Sequence, residues 1–89
     1  MLMNIGSVES QMEGRVAVLG GTLRGRMVVG QSVRLSRSGL VLMDGLIAGV
    51  LVGGKVLDQA SPGEKVQCMV MGLKPDLVQV GDVLAALED

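Results

Sequence analysis

Apolar and polar residues alternate at period two over short stretches, and glycines break those stretches at intervals of roughly ten residues, the pattern of an all-β chain. Ser32–Ser36 is the cleanest case, with Val33 and Leu35 on one face and Ser32, Arg34 and Ser36 on the other. Lys65–Met71 repeats it: Val66, Cys68 and Val70 take the inward phase, Met69 and Met71 the outward one. Arg15–Leu23 is an aliphatic run interrupted by Gly20-Gly21, which predicts a bulge or a sharp bend. Asp44-Gly45, between Leu40–Met43 and Leu46–Val52, reads as the strongest hairpin turn in the chain. Arg24-Gly25, Ser36–Gly39 and Ser61-Pro62-Gly63 read as further turns. Lys74-Pro75-Asp76 opens a last loop, and Asp82–Leu87 closes the chain as a strand. The sum is about six short strands and no long helix. Closure would remove exposed edges from so apolar a chain, so the expected fold is all-β, a small closed Greek-key-type β-barrel.

Composition sharpens this expectation. Eighty-nine residues suffice for one core and one domain, residues 1–89. The chain is 48% hydrophobic yet has no aromatic residue and no histidine, so Val, Leu, Ile and the 7 methionines must fill that core. The net charge of −1 is uneven: five arginines face three acids over 1–44, and three lysines face six acids over 45–89. Neither half reads as a nucleic-acid-binding tail, and no DNA partner is expected. A lone cysteine, Cys68, excludes an internal disulfide. No leader-like segment opens the chain, and Leu40–Val52, broken by Asp44, Gly45 and Gly49, is too short to span a bilayer. The expected location is the cytoplasm, away from membranes.

A faint internal echo is present. Met27-Val28-Val29-Gly30-Gln31 and Val78-Gln79-Val80-Gly81-Asp82 each lead into a strand after a turn with a basic residue. A duplication and the shared chemistry of two similar turns both account for it.

Three blocks, in order and at consistent spacing, resemble a known family. They are Gly20-Gly21-Thr22-Leu23-Arg24-Gly25-Arg26-Met27-Val28-Val29-Gly30-Gln31-Ser32-Val33-Arg34-Leu35; then Gly49-Val50 with Lys55-Val56-Leu57-Asp58; then Ala60-Ser61-Pro62-Gly63-Glu64-Lys65-Val66, Met71-Gly72-Leu73-Lys74 and Val80-Gly81-Asp82-Val83-Leu84-Ala85. Over about residues 14–86 the chain is similar to the β-barrel second domain of translational GTPases, most closely that of elongation factor Tu, with residues 1–13 as an N-terminal strand or arm. The resemblance implies the barrel fold and a history in translation. In elongation factor Tu this domain helps hold the 3′ end of aminoacyl-tRNA through a glutamate, an aromatic residue or histidine, and an arginine. Leu51, Gly53 and Gly54 stand at those positions here, so the resemblance does not imply that pocket. It brings no GTPase domain.

The chemistry of catalysis is missing from the sequence. There is no histidine to activate Cys68 or to serve as an acid or base, the carboxylates are scattered, and nothing is spaced to hold zinc or calcium. Gly49–Lys55 matches the start of a phosphate-binding loop, but Val56 replaces the required hydroxyl and no helix follows. The expectation is a non-enzymatic binding module without cofactor or metal. Met69 and Met71 would form an apolar interface for a protein partner or a second copy. The alternative is a factor that binds tRNA or the ribosome through Arg24, Arg26 and Arg34.

Overall fold

The computed structural model describes residues 1–87; Glu88 and Asp89, at the end of the expected domain, lie outside the described residues. Nine strands are described: β1 (Leu2–Gln11), β2 (Val16–Arg24), β3 (Met27–Val28), β4 (Ser32–Arg37), β5 (Leu40–Val52), β6 (Lys55–Leu57), β7 (Gln59–Ala60), β8 (Lys65–Met71) and β9 (Val83–Ala86), with a 3₁₀ turn at Pro75–Leu77. Six of them close into a ring in the order β4-β9-β1-β2-β8-β5, with β5 pairing back onto β4. Every neighbouring pair in the ring is antiparallel. The expected all-β closure is therefore present. β6 extends β5 as a hairpin ribbon, and β3 and β7 form a separate two-stranded pair.

Period-two patterning explains the interior. Val33 and Leu35 of β4, Val66, Cys68 and Val70 of β8, Ala17 and Leu19 of β2, and Met3 and Ile5 of β1 all face inward and are buried. Ile47, Val50 and Leu84 join them in one cluster, and Leu73 and Val78 add to it from the last loop. Each large aliphatic side chain buried there stabilises the fold by roughly 1.5–3 kcal/mol. No ring fills the gaps; Met3 and Met27, both fully buried, do so instead. Burial pushes the Cys68 thiol up to about 12, so it holds no thiolate at neutral pH. A thiol reagent is expected to label Cys68 only in denaturant; stoichiometric labelling of the folded protein would contradict this packing.

The Asp44-Gly45 turn is not there. β5 runs unbroken through it, with Asp44 opposite Arg34 and Gly45 opposite Val33. The β4–β5 turn lies at Ser38-Gly39, where both residues take positive φ (51° and 81°). Gly45 is required by space, since a Cβ there would sit 2.7 Å from the Met71 carbonyl oxygen and 2.9 Å from Val70 Cγ1. The bulge predicted at Gly20-Gly21 lies instead in the facing strand, between Ile5 and Ser7 of β1. Gly53-Gly54, the end of the apparent phosphate loop, is the positive-φ turn joining β5 to β6.

The sequence echo has a structural counterpart that reaches well beyond the two turns. In each four-residue turn, 28–31 and 79–82, the fourth residue donates to the first carbonyl (Gln31 N to Val28 O, 3.1 Å; Asp82 N to Gln79 O, 3.0 Å). In each, that fourth side chain accepts from the first amide, and a positive-φ glycine (Gly30, Gly81) donates to an isoleucine carbonyl (Ile47, Ile5) at 2.8 Å. Each isoleucine is followed by a register shift, between Ile47 and Gly49 and between Ile5 and Ser7. The strand registers correspond as well. Leu46↔Met71 matches Asn4↔Thr22, and Gly49↔Met69 matches Ser7↔Gly20. The backbone pairing of the ring is thus two-fold symmetric, exchanging β5 with β1, β8 with β2 and β4 with β9.

Candidate functional site

This symmetry gives the ring two equivalent outer faces, one on β5–β8–β2 and one on β1–β2–β8. Their side chains differ at the exchanged positions. Leu46 corresponds to Asn4, Leu51 to Glu9, Met69 to Gly20, Met71 to Thr22, Val16 to Lys65 and Val18 to Gln67. One face is aliphatic and the other polar.

The polar face carries a dent. Gly6, Gly20 and Gly21 form its floor, and Ser7, Thr22, Lys65 and Gln67 stand around an open groove of about 370 Å³. The walls offer hydroxyl, amide and ammonium groups, a set that hydrogen-bonds polar or anionic ligands. Gly20 has no side chain, and Ser7 Oγ occupies the space that a Cβ there would take.

Arg24 extends this face along β2. One rung of pairings, Arg24↔Leu2, Leu2↔Ala85 and Ala85↔Arg34, crosses four strands. Three spacings of about 4.8 Å set Arg24 and Arg34 roughly 14 Å apart on the ring surface. Arg34, however, is engaged. Its Nε and Nη2 donate to Asp44 Oδ1 and Oδ2 at 2.7 and 3.0 Å. These bonds raise the pKa of Arg34 and hold the Asp44 carboxyl below its usual range. Arg26 lies exposed just beyond the Arg24-Gly25 turn. Among the described residues, Arg24, Arg26 and Lys65 form no ion pair.

On the aliphatic face, Met71 is 50% exposed and Leu46 43%. Met69 is half-buried, its terminal methyl lying where a Gly49 side chain would be. Val56 of β6, opposite Leu51, continues the face and is 75% exposed. The sequence pattern marked Met69 and Met71. It did not mark Leu46, Leu51 and Val56, whose membership depends on the β5 bulge and the β5–β6 pairing.

Sequence reasoning also missed a part-buried ion pair. Asp82, whose side chain is 2% exposed, accepts from Arg37 Nε at 2.7 Å and from Arg37 Nη2 and the Gln79 amide at 2.9 Å. Arg37 Nη2 also donates to the Leu77 carbonyl at 3.0 Å, tying the last loop to the β4–β5 hairpin. The bonds from Arg37, and then the Gln79 amide, hold the Asp82 carboxyl below its ordinary range. The pair is structural and lies apart from both outer faces. The described residues contain no group of three potential metal ligands and no helix long and apolar enough to cross a membrane.

No protein-family model and no curated protein sequence matches the chain. Among solved structures, apo translation elongation factor SelB from Methanococcus maripaludis superimposes with a TM-score of 0.81 at 17% identity, over 93% of this chain. The fold is that of a translation-factor β domain. The match spans 18% of the SelB chain, and at this identity the likeness is one of fold. The translation-factor fold explains why the three sequence blocks keep their order. It leaves the decoration of the two outer faces to this chain's own residues.

Proposed function

We propose that this chain is a non-catalytic, cytoplasmic binding module of the translation-factor β-domain type that meets a protein partner, a second copy included, through its aliphatic outer face. The observation that carries the reading is the group of exposed and half-buried apolar side chains Leu46, Leu51, Val56, Met69 and Met71. Patches of this kind on a small domain mark contact sites. The position of Cys68 and the hairpin geometry at Gly53-Gly54 support the absence of covalent or phosphate-loop chemistry. Gel filtration at low and high protein concentration tests the reading: elution is expected to move earlier as concentration rises, and an unchanged monomer volume would count against self-association.

A second reading has its own observation, the groove with Lys65, Arg24 and Arg26 at its end of the ring. Under it the module binds RNA in translation, on tRNA or the ribosome. Basic side chains without ion-pair partners release counterions when they meet phosphates, so such binding weakens steeply with salt. The double substitution Arg24→Ala with Arg26→Ala is expected to weaken tRNA binding at low salt about ten-fold and to flatten its salt dependence. Absence of tRNA and ribosome binding at low salt would remove this reading.

A further inference from the structure

We infer that the aliphatic face formed by β2, β8, β5 and β6 is the docking face for a second copy of this chain, packed face to face about a two-fold axis; this rests on the binding-module reading and assigns its partner and contact residues. The symmetry of the ring supplies the strongest argument. At the exchanged positions the same backbone carries Asn4, Glu9, Gly20, Thr22, Lys65 and Gln67. The fold therefore does not require the exposed and half-buried Leu46, Leu51, Met69 and Met71 on the other side, whereas Val16 and Val18, each 6% exposed, are already covered within the chain. Apolar residues kept where the ring accepts polar ones need a reason outside the ring.

The rim indicates what covers them. Arg34 and Asp44 flank Leu46 on one side. On the other, Glu9 lies opposite Val18 and Arg15 precedes Val16. Each flank carries both signs, so a two-fold copy can set opposite charges against each other, whereas a strongly charged partner finds no matching field. Between the flanks the face bears no charge. Gly49 keeps its centre flat, with the Met69 methyl laid over it.

The size of the patch sets the strength of the contact. Four strands at about 4.8 Å spacing and about five residues along each give a footprint of roughly 250–300 Å². A stable complex buries about 800 Å² per partner, so this patch is the core of a small interface. The dimer is accordingly reversible and dissociates on dilution.

Sedimentation equilibrium of the full chain from micromolar to millimolar concentration, with Leu46→Glu, Met71→Glu and Thr22→Glu variants checked by circular dichroism, tests this directly. Wild type and Thr22→Glu, the last altered at the position exchanged with Met71, are expected to rise toward twice the monomer mass. Leu46→Glu and Met71→Glu are expected to stay at the monomer mass with unchanged spectra. A wild-type dimer that survives both Leu46→Glu and Met71→Glu would overturn this face while leaving self-association standing. A dimer lost equally in Thr22→Glu would also overturn it. A wild type that stays monomeric throughout would overturn the docking proposal and self-association together.

Discussion

Asp82→Ala is expected to destabilise the domain by about 2–3 kcal/mol, read as a fall of about 10–20 °C in Tm for a domain of this size. Asp82 is the one buried polar or charged residue among those described, and it joins three parts of the structure. Its side chain holds Arg37 of β4 and the Gln79 amide, and its carbonyl accepts from Ile5 of β1 at 2.8 Å. Alanine removes the side-chain acceptors, leaves the Gln79 amide without its partner and releases Arg37 from the loop. The same residue fixes the sign of the pH dependence. The folded-state pKa of Asp82 lies below the ordinary aspartate value of 3.8, so its contribution is complete above that value and is lost as pH falls through the lower folded pKa. Asp44 acts in the same direction, but from an exposed pair that contributes little. Stability should therefore decline on acidification below about pH 4, and Asp82→Asn should flatten that decline. An Asp82→Asn profile parallel to wild type through this range would show that the pair does not set it.

Gly45→Ala is the second large effect, at about 1–3 kcal/mol. The added methyl would meet the Met71 carbonyl and Val70 Cγ1, so β8 would have to move away from β5 along one seam of the ring. Gly39→Ala provides the contrast. Nothing lies within 4 Å of its Cβ position, but φ is +81°, so its cost is backbone strain of about 1 kcal/mol without displacement of a strand. Denaturant melts of the two variants separate these causes. Gly45→Ala should also increase amide exchange at Val70 and Met71, whereas Gly39→Ala should leave those amides unchanged. Equal exchange in the two variants would contradict the packing account.

The difference between these glycines also shows how far the sequence could be read. Alternation identified the inward residues of β4 and β8 because one face of each is fully buried, which pins the phase. Asp44-Gly45 has the composition of a turn, but its glycine answers to a neighbouring strand far away in the chain. Composition does not record that contact. The true turn, Ser38-Gly39, lay within a segment already read as turn-like. The Arg37–Asp82 pair had no local signature because its partners are 45 residues apart. The aliphatic face was half legible: Met69 and Met71 follow from period two, but Leu46, Leu51 and Val56 join them only after the bulge between Ile47 and Gly49 resets the phase of β5. Arg24 and Arg34 share a rung of the ring, but pairing with Asp44 leaves Arg34 a poorer phosphate ligand than Arg24.

Two equivalent faces carry unlike side chains, and a dilution series followed by methyl NMR tests most directly whether the aliphatic one is a contact face. Methyl signals of Leu46, Leu51, Val56, Met69 and Met71 should shift together with concentration and fit one monomer–dimer equilibrium. Thr22, at the position exchanged with Met71, should not move. Shifts centred on Thr22 and the polar groove, or an aliphatic face unchanged from micromolar to millimolar concentration, would contradict that role.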